Sequence, residues 1–428
     1  MSLLLMSVLH KALRLNSLPL GKAKTHKLNA ILDTTLRGAN STLGIFHEKN
    51  PRTRFSLHKV AYDPLRKLGL PSQVACDVIT QVWENRKTAK TCHSVPARFN
   101  IPRSGGIVTT PKGTCVLTIY LGGKGRVAIP VAKDGGSQRF DSSLSDGFKP
   151  KQIRLCRKDG TFRFWVLLEK EIPEPPLTPT MPVVGVDVGV RSLAAVSVLD
   201  TDGVVGQYYF GRDLYPAQRD VGIRRGILQE GMAMGAMPDR SRRGMERLRG
   251  WENNFTTTRC WQVAHQVVDL AEKHGAAVAI EDLKDLNEDT RSKSNKKGRR
   301  KTHRMPYSKF RSSLESLALE RGVPLVAVPP AYTSRRCSRC GEIGKRKGAT
   351  FRCPKCDYLG NADRNASVNI AKSLRERMGM DISNLGPQYS RRGGRVNDPG
   401  GKDEGGVGGS SQLYHPPDFK PPVLTGGG

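Results

Sequence analysis

The sequence lacks any apolar run close to the roughly 18 to 20 residues that a membrane-spanning helix needs. The apolar opening, residues 1–16, also lacks a basic leading segment and soon reaches His10 and Lys11, so it predicts a first β-strand rather than a secretion signal. These absences argue against a membrane partner. They predict an intracellular, cytoplasmic protein that associates with the nucleoid.

Acidic residues are scarce in this chain. It has 39 Asp and Glu against 70 Lys and Arg, which gives a formal net charge of +31. Such an excess of positive charge requires a polyanionic partner, for which nucleic acid is the first candidate and a membrane surface the second. With 37% hydrophobic residues, the 428-residue chain can still form cores, and its length suits two or three domains.

A complete set of intrachain disulfides is excluded, because the nine cysteines are odd in number. Four of them form two Cys-x-x-Cys pairs, Cys337/Cys340 and Cys353/Cys356, with 12 residues between the pairs. Four thiolates on two tight turns complete a tetrahedral shell with no open position, which predicts one structural Zn²⁺. Two disulfides or four free thiols are the alternatives. The five scattered cysteines are interpreted as buried or incidental thiols.

The N-terminal part of the chain changes character along its length. Apolar positions at helical spacing predict helices over 22–48 and about 72–87, which form a small helical module after the first strand. Residues 98–171 carry short runs of β-formers separated by turn signals, which predict an all-β unit in the form of a small barrel. The Pro-rich stretch 173–182 predicts a linker and a domain boundary.

From residue 183 the pattern is that of an α/β domain. The predicted elements are three strands within 183–211, a helical stretch at 214–274, a strand at 277–283, a helix at 307–321, a strand at 324–330 and a helix from about 363 to 377. Three strands followed by alternating helices and strands is the order of an RNase H-like fold. The Gly- and Pro-rich tail from residue 386 is predicted to be disordered.

Three carboxylates, those of Asp187, Glu281 and Asp363, are the candidate catalytic groups. The first lies within an apolar strand and the second ends an apolar run, where a charge is costly unless something pairs with it. The third begins the helix after the second Cys pair. If they converge, they form a site for two Mg²⁺ ions that activate water, neutralise the scissile phosphate and stabilise the leaving 3′ oxygen.

Each carboxylate also has a structural interpretation. Asp187 can be a buried turn residue, Glu281 a solvent-facing strand end and Asp363 a helix N-cap. The neighbouring Asp282 and Asp285 are interpreted as solvated, or as lying behind the metal ligands.

The segments GVDVGVRSLAAVSV, AIEDL and TSRRCSRCG…FRCPKCDYLGNADRNASVNIA follow one another in this order. Together they resemble the RuvC domain of the TnpB family and of related compact type V CRISPR effectors, over about 183–375. The resemblance places the family's catalytic carboxylates, which hold Mg²⁺, on Asp187, Glu281 and Asp363. It places the family's zinc ligands on Cys337, Cys340, Cys353 and Cys356.

The resemblance implies a multidomain α+β chain. Residues 1–20 and 96–172 would form a β-barrel wedge domain, interrupted by a helical recognition module at 21–95 and followed by the linker at 173–182. The remaining parts would be an RNase H-like (RuvC) α/β nuclease domain at 183–334 and 361–380, an inserted zinc ribbon at 335–360 and a disordered tail at 381–428.

Family members are similar in being RNA-guided. A structured RNA binds the protein, its guide segment pairs with target DNA next to a short flanking motif, and the single RuvC site cuts both strands. The resemblance therefore implies an RNA-guided DNA endonuclease, with guide RNA and target double-stranded DNA as partners. A transposon-encoded nuclease and a CRISPR effector both fit. The oligomeric state stays open, with a monomer favoured.

The basic run 291–304, RSKSNKKGRRKTHR, carries eight Lys or Arg and follows the Glu281 strand. We favour a lid that becomes ordered on nucleic-acid phosphates over a solvated loop or a nuclear localisation patch. The candidate nucleic-acid-binding residues are Arg291, Lys293, Lys296, Lys297, Arg299, Arg300, Lys301, Arg304 and, beside the first Cys pair, Arg335 and Arg336.

Three other functions are compatible with part of this sequence pattern. A catalytically reduced, RNA-guided DNA-binding protein would keep the fold without the chemistry, although all three carboxylates are present. A DNA strand-transferase would use the same triad, although the ribbon between Glu281 and Asp363 argues against it. A zinc-ribbon nucleic-acid-binding protein without catalysis is the simplest alternative.

Overall fold

The computed structural model describes residues 6–86, 90–111, 113–123, 125–158, 160–235, 238–283, 305–330 and 332–380. Within them the chain divides into two compact units. The N-terminal unit comprises residues 10–170, and the C-terminal unit runs from residue 171 onwards together with residues 6–9. The helices of the described ranges are all too short or too polar to cross a lipid bilayer.

The N-terminal unit combines helices with two hydrogen-bonded sheets. Its elements are β1 (Met6–Leu15), α1 (Lys22–Lys49), α2 (Arg54–Lys67), α3 (Ser72–Asn85), β2 (Ala97–Asn100), β3 (Gly105–Thr109), β4 (Cys115–Tyr120), β5 (Arg126–Pro130), α4 (Gly135–Ser145), β6 (Lys149–Lys158) and β7 (Thr161–Pro173). One sheet has the order β1-β7-β6-β2 and the other the order β3-β4-β5. The predicted first strand and the helices at 22–48 and 72–87 are confirmed.

The prediction of an all-β unit over 98–171 is wrong, because α4 lies within it. Asp134 caps the N-terminus of this helix: its carboxylate accepts hydrogen bonds from the N–H groups of Gly136 and Ser137 at 2.9 and 3.0 Å. Its buried Phe140 anchors it to the core. The short local cap, rather than any long apolar stripe, starts the helix. The periodicity analysis also missed α2, whose stripe is short and which contains Pro64.

The C-terminal unit is a mixed α/β structure. Its elements are β8 (Val183–Val188), β9 (Ala194–Asp200), β10 (Gly203–Phe210), α5 (Leu214–Ala233), α6 (Pro238–His274), β11 (Ala277–Glu281), α7 (Tyr307–Glu320), β12 (Leu325–Val328), β13 (Lys345–Lys347), β14 (Thr350–Arg352), β15 (Leu359–Asn361) and α8 (Ala362–Met380). The strands and helices predicted from residue 183 are confirmed, with the stretch at 214–274 divided into two helices.

The main sheet of this unit has the strand order β10-β9-β8-β11-β12. Strands β8, β11 and β12 are parallel, whereas β9 and β10 pair antiparallel. A smaller sheet, β13-β14-β15, belongs to the segment with the two Cys pairs. The predicted tail from 386 and the basic run at 291–304 lie outside the described residues.

Helix α8 packs directly against β8, and Gly185 makes this approach close. A Cβ atom at Gly185 would lie 2.1 Å from the carbonyl oxygen of Ser367 and 2.7 Å from the backbone nitrogen of Ala371. The hydroxyls of Ser197 and Ser367 also share a buried hydrogen bond of 2.6 Å across the same contact. A side chain at Gly185 would therefore push the helix away from the sheet.

We expect Gly185→Ala to lower the free energy of unfolding by about 2 to 4 kcal/mol, because the backbone of α8 cannot yield to the added methyl group. Urea denaturation followed by circular dichroism measures this effect. Gly226→Ala in α5 is the matched control: no atom lies within 4 Å of its Cβ position. There the same substitution should raise stability slightly. Equal effects at both positions would contradict the close packing of α8.

Candidate acidic active site and metal centre

Asp187 and Glu281 lie at the carboxyl ends of two neighbouring parallel strands. Val186 of β8 pairs with Ile280 of β11, so the two acids occupy the next position of the same register. Asp187 also pairs with Ala195 of β9. Because residues directly opposite on adjacent strands share a face of the sheet, these side chains form one row across it. The row faces α8, since Gly185, two residues before Asp187, contacts that helix.

The electrostatics of this row indicate an acidic cluster whose negative charge is only partly compensated. Burial, together with the negative charges of Glu281 and Asp363, raises the pKa of Asp187 well above its usual range. Burial also raises the pKa of Glu281, and a hydrogen bond from Thr333 and the positive charge of Arg346 offset this effect only in part. A cation would relieve the repulsion among the carboxylates.

Glu281 is held on both its side chain and its backbone. The Thr333 hydroxyl donates a hydrogen bond to its carboxylate. The Tyr307 hydroxyl donates to its backbone carbonyl oxygen and accepts from the N–H of Leu283 at 3.2 Å. With 8% of its surface exposed, Glu281 is not the solvent-facing strand end of the structural alternative.

Asp363 approaches the same cluster from the N-terminus of α8. It does not cap the helix. The Asn361 side chain accepts hydrogen bonds from the N–H groups of Asp363 and Arg364 at 2.9 and 3.1 Å, so Asn361 is the cap. The Asp363 carboxylate is therefore available for another role. It accepts a hydrogen bond of 2.8 Å from the Arg346 guanidinium.

Arg346 is a member of this site that the sequence did not reveal. It lies on β13, outside the main sheet, and its charge acts on Asp187 and Glu281 as well as on Asp363. Nothing in the local sequence distinguishes it from Lys345 or Lys347. Only the fold of the small sheet brings the guanidinium to the carboxylates.

The two Cys pairs come together as predicted. The four sulfur atoms all lie within 4.8 Å of one another. Cys337 and Cys356 are 3.6 Å apart, and Cys340 and Cys353 are 3.5 Å apart. Among the described residues this is the one group of at least three Cys, His, Asp or Glu whose ligand atoms come together in this way. The other five cysteines are free thiols.

Helix α8 connects the cysteine segment to the acidic cluster. Asn365 accepts a hydrogen bond of 2.8 Å from the N–H of Ser338 and donates one of 2.6 Å to the carbonyl oxygen of Arg336. Asn369 donates to the carbonyl oxygens of Thr333 and Arg336, both at 2.8 Å. The helix that carries Asp363 therefore also positions the first Cys pair and the threonine that contacts Glu281.

The remaining predicted residues are placed less directly. Asp282 is partly exposed and forms an ion pair of 2.6 Å with Arg311. Arg335 and Arg336 are exposed beside the first Cys pair, and their predicted contact with nucleic acid stays a prediction. Asp285 and the predicted lid residues from Arg291 to Arg304 lie outside the described residues.

Comparison with known proteins identifies the segment around this site. Residues 307–370 match the family described as Cas12f1-like, TNB domain. A TnpB-like protein of Aquifex aeolicus is 30% identical over 251 residues, which cover 54% of this chain and 80% of that protein. The CRISPR-associated endodeoxyribonuclease Cas12f1 of Sulfoacidibacillus thermotolerans is 26% identical over 252 residues, 57% of this chain and 58% of that protein.

The fold has a counterpart among solved structures. The cryo-EM structure of a Cas12f1–sgRNA–target DNA complex superposes with a TM-score of 0.59 over 82% of this chain and 83% of that one, at 16% identity. Fold and site define a mixed α/β chain in which acidic residues at the carboxyl ends of neighbouring strands lie close to a four-cysteine segment. The chain belongs to the TnpB family, whose compact type V relatives include Cas12f1. It matches little more than half the length of that Cas12f1 relative.

Proposed function

We propose that this protein is an RNA-guided DNA endonuclease that cuts double-stranded DNA next to a short flanking motif. The observation that carries the proposal is the convergence of Asp187, Glu281 and Asp363 in a protein with a net charge of +31. The names of its relatives support it, since one is an endodeoxyribonuclease and another is solved with an sgRNA and target DNA. The positive charge suits the backbones of guide and target.

The three carboxylates would hold two Mg²⁺ ions. Carboxylate oxygens are ligands that Mg²⁺ prefers, and the two-ion arrangement is common in phosphodiester hydrolysis. The burial of Asp187 and its repulsion by Glu281 and Asp363 support a cation site at this position. When bound, the ions would supply an activated water and stabilise the phosphate and the leaving oxygen.

The protein's own residues orient this chemistry. Asp187 and Glu281 stand on strand ends that the sheet holds rigid, and Thr333 fixes the carboxylate of Glu281. Asp363 reaches the cluster from α8, which Gly185 allows to approach. Arg346 forms an ion pair with Asp363, and with Mg²⁺ bound at the carboxylates its guanidinium would be free to bind an oxygen of the scissile phosphate.

The four cysteines fit one structural Zn²⁺. Thiolates at about 2.3 Å from a tetrahedral zinc are separated by about 3.8 Å, close to the 3.5 and 3.6 Å found here. We assign residues 335–360 as the zinc ribbon and 183–334 with 361–380 as the RuvC domain of RNase H-like fold. Residues 1–20 and 96–172 are assigned as the wedge domain, and 21–95 as the recognition module.

We expect Arg346→Gln to lower the Mg²⁺ concentration needed for half-maximal thermal stabilisation by about three- to tenfold, because a positive charge no longer competes at the carboxylates. Cleavage should nevertheless slow if the guanidinium also serves the phosphate. The same substitution at the exposed Arg352, on the neighbouring strand, is the matched control and should leave both quantities unchanged. An unchanged Mg²⁺ requirement in Arg346→Gln would contradict the competition.

The proposed function itself is tested by the RNA that accompanies the protein. The protein is purified from its host, the bound RNA is sequenced, and DNA duplexes matched or unmatched to its guide segment are incubated with Mg²⁺. We expect a discrete RNA and cutting of the matched duplex alone. Absence of a discrete RNA would contradict guidance, binding without cutting would indicate a DNA-binding protein, and joined DNA products would indicate a strand-transferase.

A further inference from the structure

A cluster of tyrosine and arginine side chains lies beside the acidic site and is separate from the proposed metal ligands. Its centre is Tyr209 on β10. The guanidinium of Arg212 lies over this ring at 4.4 Å from the centroid, and that of Arg364 at 5.0 Å. Tyr358, from the cysteine ribbon, is close enough to Tyr209 to interact with it electrostatically. The guanidinium of Arg339 lies over the ring of Tyr358, 4.8 Å from its centroid.

The register of the sheet places Tyr209 at a defined distance from the acids. Tyr209 pairs with Ala195 on β9, and Ala195 pairs with Asp187 on β8. All three share the face toward α8, and only the small side chain of Ala195 stands between the ring and the carboxylate. Two strand spacings amount to about 10 Å, a length on the order of one or two nucleotides of an extended strand.

The surroundings of the ring suit a nucleic acid rather than an internal packing role alone. Tyr209 is partly exposed, and Arg212 and Arg364 are exposed. Within the part of the chain that the structure describes, neither arginine forms an ion pair with a carboxylate. A base can stack on the ring in place of one of these guanidiniums, which then pairs with the neighbouring phosphate; aromatic side chains among cations are the usual platform for single strands.

We propose that Tyr209, with Arg212 and Arg364, is the stacking seat for an unpaired base of the DNA strand that is being cut. The inference rests on the proposed function, which supplies the strand. The seat holds one base while the scissile phosphate lies at Asp187, Glu281 and Asp363. It is a positioning element that sets which phosphate reaches the acids, and it takes any base, because every base has an aromatic face.

The test uses the full-length protein with Asp187→Asn, so that DNA binds without being cut. Single-stranded oligonucleotides of about 12 nucleotides, each with one abasic position, are titrated by fluorescence anisotropy. We expect one abasic position to weaken binding by about 5- to 100-fold. Tyr209→Leu should weaken binding of the intact strand similarly and remove the sensitivity to that position, whereas Tyr209→Phe should retain both.

Tyr208→Leu is the matched control, because Tyr208 is the neighbouring residue of the same type and stacks on Phe210 at 6.0 Å instead. It should keep the sensitivity to the abasic position. Photo-crosslinking of an oligonucleotide that carries 5-iodouracil to the protein with intact Tyr209 adds a measurement that needs no folded variant. Its crosslink should map to Tyr209, and a crosslink confined to other segments would overturn the seat.

The two proposals fail in different ways. Suppose that the protein with all three acids cuts guided DNA, but that no abasic position weakens binding in a way that requires Tyr209. The seat is then wrong and the proposed function stands. If binding depends on Tyr209 and on one abasic position but no Mg²⁺-dependent cutting occurs, Tyr209 still stacks on a base, whereas the nuclease function and the role of the seat in cutting are wrong.

Discussion

Replacing Asp187 by Asn is expected to reduce Mg²⁺-dependent cleavage by about 10⁴-fold, as the loss of an essential catalytic group does in other hydrolases. The amide has the shape of the carboxylate but lacks its charge, so the packing of β8 against α8 should persist. Nucleic-acid binding should also persist, because the substitution removes no positive charge from a chain whose formal net charge is +31. Single-turnover cleavage measures the loss, and anisotropy measures the binding.

The same variant carries a stability signature. Because burial and the charges of Glu281 and Asp363 raise the pKa of Asp187, its charged form costs folding free energy when no cation is bound. Asp187→Asn should therefore melt at the same temperature as the unsubstituted protein, or higher, in buffer without divalent ions. Asp202→Asn, in an exposed turn, is the control and should alter neither property. Undiminished cleavage by Asp187→Asn would refute the triad.

Replacing Cys353 by Ser is expected to remove the zinc and to reduce cleavage by at least about tenfold. A structural zinc site contributes its binding free energy to folding. Without it, β13 and β14 lose the framework that holds Arg346 at the carboxylates. The start of α8, to which the ribbon is hydrogen-bonded, should also loosen. Elemental analysis should show about one zinc per chain before the substitution and none after it.

Cys92→Ser provides the comparison for this variant, because Cys92 is a free thiol outside the cluster. It should keep one zinc per chain and full cleavage. A Cys353→Ser protein that still binds zinc would contradict the four-cysteine site. Loss of zinc with undiminished cleavage would separate the ribbon from the acidic site and contradict the coupling through α8.

Local sequence patterns predicted many of the helices and strands of this protein. Short apolar runs predicted the strands at 183–211, and β8 and β9 are indeed buried at almost every position, as strands covered on both faces are. Helix α4 was not predicted, because its start depends on the cap at Asp134 rather than on a long stripe of apolar residues. The barrel over 96–172 stays a prediction, since its strands belong to two separately bonded sheets.

The acidic site shows which functional residues local sequence patterns can predict and which they leave ambiguous. Asp187 and Glu281 were recognisable because a carboxylate in an apolar strand needs a partner that the strand cannot provide. Asp363 was ambiguous, since an acid at a helix start serves equally well as a cap. The hydrogen bonds of Asn361 resolved the ambiguity.

The sequence by itself determined the cysteine spacing, the apolar setting of two acids and the excess of positive charge, all of which are local or additive properties. The tertiary structure alone decided that Arg346 from the small sheet meets Asp363, that Thr333 holds Glu281, and that Tyr209 shares a row with Asp187. These contacts join residues far apart in the chain. Their geometry follows from strand register and from the approach of α8 over Gly185, which no local pattern encodes.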